Sequence, residues 1–215
     1  MRLFLSSYRL GNQPDKLPAL VGENKRTAIV VNAQDAKTPE SRAEQVQQEI
    51  RNLTALGLKP EELDLRHYFG KPDELREFIK DFGLVWVRGG NVFLLRRAFK
   101  QSGFDEILTE LLRNDQITYG GFSAGICVLA PSLKGIELVD PLDEIAEGYD
   151  KEIIWEGLGL LDYALAPHYK SDHPESEDIQ KCVEYFTDNH ILFKALRDGE
   201  IIIINGDESE ISRVL

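Results

Sequence analysis

Short apolar runs, each closed by turn residues, alternate with stretches of helical spacing along almost the whole chain. Runs at 3–7, 28–32, 63–68, 84–88, 117–121, 164–168, 191–196 and 201–205 have the length and β-branched content of strands. Helical spacing fills 39–56, 72–82, 92–100, 105–113, 124–129 and 174–187. Thr38 before Pro39 is a helix entry with proline in the first turn. This rhythm leaves little freedom. Strands separated by helices can pair only through crossovers, which predicts an α/β fold: a mostly parallel, doubly wound sheet with helices on both faces. The runs at 191–196 and 201–205, joined through Asp198-Gly199-Glu200, are expected to close the chain as an antiparallel hairpin. No repeat or long linker divides the 215 residues, so 1–215 is expected to be one domain.

Charge and composition remove several function classes. A net charge of −12 without clustered Lys and Arg argues against nucleic acid. No apolar run approaches the roughly 18 residues of a membrane span, and the opening MRLFLSSYRLG reads as a first strand, not a leader. Cys127 and Cys182 lie far apart, as small core residues of a reducing, cytoplasmic protein would. No paired His or Cys stands at ligand spacing, so neither a metal nor another cofactor is expected. The Gly89-Gly90 pair lacks the surrounding pattern of a phosphate loop.

What remains is concentrated where strands end, the edge at which ligands gather in such sheets. "GGFSAGIC" (120–127) matches Gly-x-Ser-x-Gly, a sharp strand-to-helix turn that holds one serine at its tip. Ser123 is therefore a candidate nucleophile, and a serine hydroxyl needs a base. Of the four histidines, His67 reads as a packing or surface residue at the end of an early strand, and His190 sits at a helix end. His168 closes the run 164–168 on the same sheet edge as Ser123 and is the preferred base; His173, in the following loop, reads as a substrate-side residue. The base in turn needs an acid, and Asp198 closes the apolar run 191–196. The turn Arg88-Gly89-Gly90-Asn91 offers bare backbone N–H groups suited to an oxyanion, with Asn91 a candidate substrate contact.

With these residues in view, the sequence resembles the peptidase E family of serine peptidases, which share the class I glutamine amidotransferase fold. The resemblance rests on VRGGNVFLL (87–95), YGGFSAGICVLAP (119–131), LVDP (138–141), LAPHY (165–169) and ALRDGEIIII (195–204). It implies Ser123 as nucleophile, His168 as base and Asp198 as third acid, where relatives often carry Glu. It further implies an oxyanion hole from Gly90 and the N–H of Ala124, and Tyr169, Lys170 and His173 as candidates for lining the pocket. The implied activity is hydrolysis of short peptides by an exopeptidase or dipeptidase, working as a monomer or homodimer. Cyanophycinase-like or esterase activity, or a non-catalytic binding protein on the same scaffold, are the alternatives. Relatives that remove N-terminal aspartate bind it with a basic residue beyond the histidine. Here 171–178 reads SDHPESED, with no arginine, which would favour a basic or free-amino group.

Overall fold

The protein, described here over residues 1–213 in a computed structural model, is built on a seven-stranded sheet. Its strands are β1 (Arg2–Ser6), β2 (Arg26–Val30), β3 (Lys59–Glu62), β4 (Leu84–Val87), β5 (Thr118–Phe122), β8 (Ile201–Asn205) and β9 (Glu208–Ser212), ordered β3-β2-β4-β5-β1-β8-β9. The first five are parallel; β8 runs antiparallel to β1, and β9 antiparallel to β8. A separate parallel pair, β6 (Ala164–Ala166) and β7 (Phe193–Ala195), stands apart from this sheet. The helices are α1 (Lys16–Val21), α2 (Pro39–Ala55), α3 (Pro72–Ile79), α4 (Val92–Ser102), α5 (Phe104–Arg113), α6 (Ala124–Cys127) and α7 (Ser176–Asp188).

Because successive strand residues point to opposite faces, a sheet covered on both sides needs two cores. Both are present. Leu3, Leu5, Ala28, Val30, Val85 and Val87 join one with residues of α3, α4, α5, α6 and α7; Phe4, Ile29, Leu84 and Trp86 join the other with residues of α1 and α2. Thr38 caps α2 by accepting the Ser41 N–H at 3.3 Å, with Pro39 in the first turn. From α2 the buried Glu49 accepts the indole N–H of Trp86 at 2.9 Å and pairs with Arg88, fixing the helix over the end of β4. No helix among the described residues is long and apolar enough to cross a membrane.

Three expectations from the sequence change. Residues 63–68 are not a strand: Asp64 accepts the Arg66 N–H at 3.1 Å and turns Leu65–Tyr68 into a 3-10 helix, which carries His67. The strand beside β2 is instead the polar Lys59–Glu62. A C-terminal antiparallel hairpin exists, but β8 and β9 form it; residues 193–195 pair in parallel with β6. Finally, 164–168 leaves strand geometry after Ala166, and His168 takes a left-handed φ of 63°.

The register sets up one edge. Ser6 lies opposite Phe122 and Val87 opposite Gly121, so β1 and β5 end level and β4 ends one residue earlier. Beyond these ends Ser7 lies beside Ser123, whose N–H it binds, with Gly89 packed closely against Ser123.

Candidate active site

Ser123 stands between β5 and α6 with φ 52° and ψ −124°, a region non-glycine residues rarely enter. The bend is held from several sides. Ser123 N–H donates to the carbonyl of Ser7 at 3.2 Å, and its own carbonyl accepts from Ile126 and Cys127 at 2.9 and 3.1 Å. Gly125 must be glycine for closeness: a Cβ there would collide with the carbonyl of Val87 in β4. The serine is partly exposed while its neighbours Phe122 and Ala124 are buried. Cys127, one turn on, is buried, and burial together with the charge of Asp140 pushes its thiol well above the ordinary range, which suits a core residue and not a nucleophile.

His168 is 1 % exposed. Its Nδ1 lies 2.7 Å from Asp198 Oδ1, and its backbone N–H donates to Ser7 Oγ at 2.8 Å. Ser7 Oγ in turn reaches Asp198 Oδ1 at 3.0 Å and the Leu196 carbonyl at 3.2 Å. Asp198 is fixed from behind, where its N–H donates to Ser171 Oγ at 2.8 Å. Burial pushes the Asp198 carboxyl up, but the hydrogen bond and charge of His168, with the Ser7 hydroxyl, outweigh it and hold the group below the usual carboxylate value. A carboxylate at Nδ1 fixes the tautomer that leaves Nε2 bearing a lone pair. That Nε2 is buried and has no hydrogen-bond partner among the described residues, Ser123 included. Such contacts are often long before substrate arrives.

The imidazole is held in aromatic company. His173 stacks on it at 3.7 Å between centroids and 8° between planes, and Tyr8 meets both rings edge-on at 5.8 and 5.3 Å. Burial, and then the neighbouring His168, lower the pKa of His173 against the opposing charges of Glu175 and Asp198. Its Nδ1 accepts the Glu175 N–H at 3.2 Å. The ligand atoms of His168, His173 and Asp198 lie within 4.8 Å of one another, a spacing that could hold a metal ion. Within that group His168 Nδ1 and Asp198 Oδ1 are hydrogen-bonded to each other at 2.7 Å.

The other candidates fall in different places. Gly90, with φ 146°, faces the carbonyl of Ala33 so closely that a Cβ would clash, and the next N–H, of Asn91, donates to that carbonyl at 3.0 Å. The Asn91 side chain is committed to structure: its Oδ1 accepts from Phe93 and Leu94 as the cap of α4, and its Nδ2 donates to Pro141 O and Glu144. Tyr169 lines a cleft of about 470 Å³ with Lys194, Arg197, Glu200 and Ile211, and Lys170 is exposed above its ring. Sequence reasoning missed Ser7 and Tyr8. The one hint was their place directly after β1, on the edge where ligands bind.

Comparison with known proteins agrees with this architecture. The sequence matches peptidase family S51 over residues 12–212. A crystal structure of a candidate peptidase E from Listeria monocytogenes EGD-e superposes with a TM-score of 0.78 at 25% identity, covering 100% of this chain and 98% of that one. A peptidase from an acI-B1 Actinobacterium superposes with a TM-score of 0.73 at 16% identity, covering 99% and 87%. No curated protein matches the chain. With a family match spanning nearly its whole length, on the fold those peptidases share, the chain belongs to peptidase family S51.

Proposed function

We propose that the protein is a serine peptidase acting on short peptides, as an exopeptidase or dipeptidase, through Ser123, His168 and Asp198. The observation that carries this is the hydrogen-bonded Asp198–His168 pair, which leaves a buried Nε2 with no hydrogen-bond partner among the described residues on the sheet edge that also presents the strained Ser123.

Nε2 takes the Ser123 proton as Oγ bonds to the scissile carbonyl carbon, and Asp198 balances the imidazolium that forms. Negative charge collects on the former carbonyl oxygen, where the N–H groups of Gly90 and Ala124 are the candidate donors. The tetrahedral centre collapses, the C–N bond breaks, and His168 hands its proton to the departing amine. Water then attacks the acyl-serine with His168 again acting as base, releasing the acid and restoring the hydroxyl.

The test is hydrolysis of a dipeptide and aminoacyl p-nitroanilide panel by the wild type, Ser123→Ala and Asp198→Asn. Both variants should fold, since neither changes core volume, and each should lose about 10³–10⁴-fold or more in kcat. Retention of wild-type turnover by Ser123→Ala would remove the serine from the chemistry.

A further inference from the structure

We propose that Glu175 is a specificity-determining residue that binds a cationic group of the substrate, an ammonium or guanidinium, beside the scissile bond. This deepens the serine-peptidase reading above and rests on it.

Glu175 Oε2 lies 3.9 Å from His168 Nε2, the buried nitrogen with no hydrogen-bond partner among the described residues. In a serine peptidase this nitrogen must visit both the attacking oxygen and the leaving amine. A carboxylate so close to it is therefore within one side chain's length of the residues on either side of the bond. The carboxylate is also uncommitted. It pairs with no Lys or Arg among the described residues, and although Glu175 stands at the N-cap of α7, its side chain forms no cap bond. The backbone, by contrast, is pinned by the Glu175 N–H bond to His173 Nδ1 at 3.2 Å, which fixes the direction from which the side chain reaches the base. With 44 % exposure it can meet an incoming ligand while part of its solvation is already lost.

The surroundings reinforce the sign. Glu144 lies close enough to add negative potential to the same mouth, for its charge and that of Glu175 both act on the buried Asp140. Glu144 is bonded by Asn91 at 3.0 Å and lies 4.0 Å from Lys37, so its charge is partly spent. Among the described residues the Glu175 carboxylate has no such neighbour. Of the cations on the segments that build the site, Arg9 lies over the Tyr8 ring, Lys170 over the Tyr169 ring, Arg88 is paired with Glu49, and Arg197 lines the cleft beside Tyr169. An anionic substrate group would meet like charge beside the base, in a chain of net charge −12. A cation would gain a charge-assisted contact.

The experiment compares kcat/KM for p-nitroanilides of acetyl-Lys, acetyl-norleucine, Ala, acetyl-Ala and Asp, using the wild type, Glu175→Gln and Glu175→Lys. The acetyl-Lys to acetyl-norleucine ratio reports a side-chain cation, and the Ala to acetyl-Ala ratio a terminal ammonium. At least one ratio should exceed about tenfold in the wild type, chiefly through KM, and fall about tenfold in Glu175→Gln. Glu175→Lys should shift preference toward Asp. Preference of the wild type for Asp, or ratios that Glu175→Gln leaves unchanged, would overturn the proposal. Labelling by a fluorophosphonate keeps the two failures apart. If Ser123 is labelled but charge selectivity is absent, or no substrate is cleaved, only the role of Glu175 falls; if Ser123 is neither labelled nor active, the peptidase reading falls with it.

Discussion

Ser7 Oγ lies 3.0 Å from Asp198 Oδ1 across 191 residues of sequence. The same oxygen accepts the His168 N–H, and the Ser7 carbonyl holds the Ser123 N–H, so one residue after β1 ties together the three segments that carry the proposed triad. Ser7→Ala should leave the His168 N–H buried without an acceptor, at a cost of about 1–3 kcal/mol. It should also loosen Asp198. We expect kcat to fall roughly 10–100-fold with KM little changed, because the group acts on the geometry of the base and not on substrate. Steady-state kinetics beside a thermal melt check both parts; a loss of stability with kcat intact would make Ser7 structural only.

Gly125→Ala probes the elbow. The added Cβ would meet the backbone oxygen and carbon of Val87 in the central strand β4, atoms that cannot swing aside as a flexible side chain could. Overpacking of this kind costs about 1–3 kcal/mol, and relief by displacing α6 would move Ser123. A lower melting temperature together with reduced turnover is expected. An unchanged melt would show that the turn has room the structure denies it.

Asp140 gives a pH dependence. Burial raises its carboxyl to about 8 against the pull of the Val92 N–H bond at 2.7 Å, with the charges of Glu175 and Glu144 adding to the rise. A carboxyl whose folded value exceeds its ordinary 3.8 holds a proton that the unfolded chain has released. Its contribution is thus fully present below about 4 and is lost as pH climbs through about 8. Asp140→Asn keeps an acceptor for Val92 without the charge. Its melting temperature relative to the wild type should therefore improve between pH 5 and pH 9, by roughly 4 °C or more; a constant difference across that range would contradict the shift.

How far the sequence could be read depends on how local each signal was. Buried strands such as Leu84–Val87 and glycine-lined junctions such as 120–125 announce themselves because neighbours in sequence make the pattern. β3 and β9 do not: Lys59-Pro60-Glu61-Glu62 and the mostly exposed Glu208–Ser212 are edge strands, where charge and proline guard an open ladder and erase the apolar alternation. Leu63 and Leu65 look like a strand at period two, yet the turn is decided by the Asp64 side chain. The choice of β6 as partner for β7, in place of β8, is made by packing between distant segments. The site divides likewise. Ser123 and His168 stand at recognisable strand ends, whereas Ser7 becomes visible only when β1 is laid beside β5 and the 198 loop is folded over it.

The most direct test of the central claim is intact-mass and peptide mapping after exposure to a fluorophosphonate, run on the wild type, Ser123→Ala and His168→Ala. One stoichiometric adduct on the peptide carrying Ser123, absent from Ser123→Ala and formed far more slowly in His168→Ala, is the expected result. Modification of a different residue, or equal labelling with and without the imidazole, would contradict a hydroxyl at position 123 activated by His168.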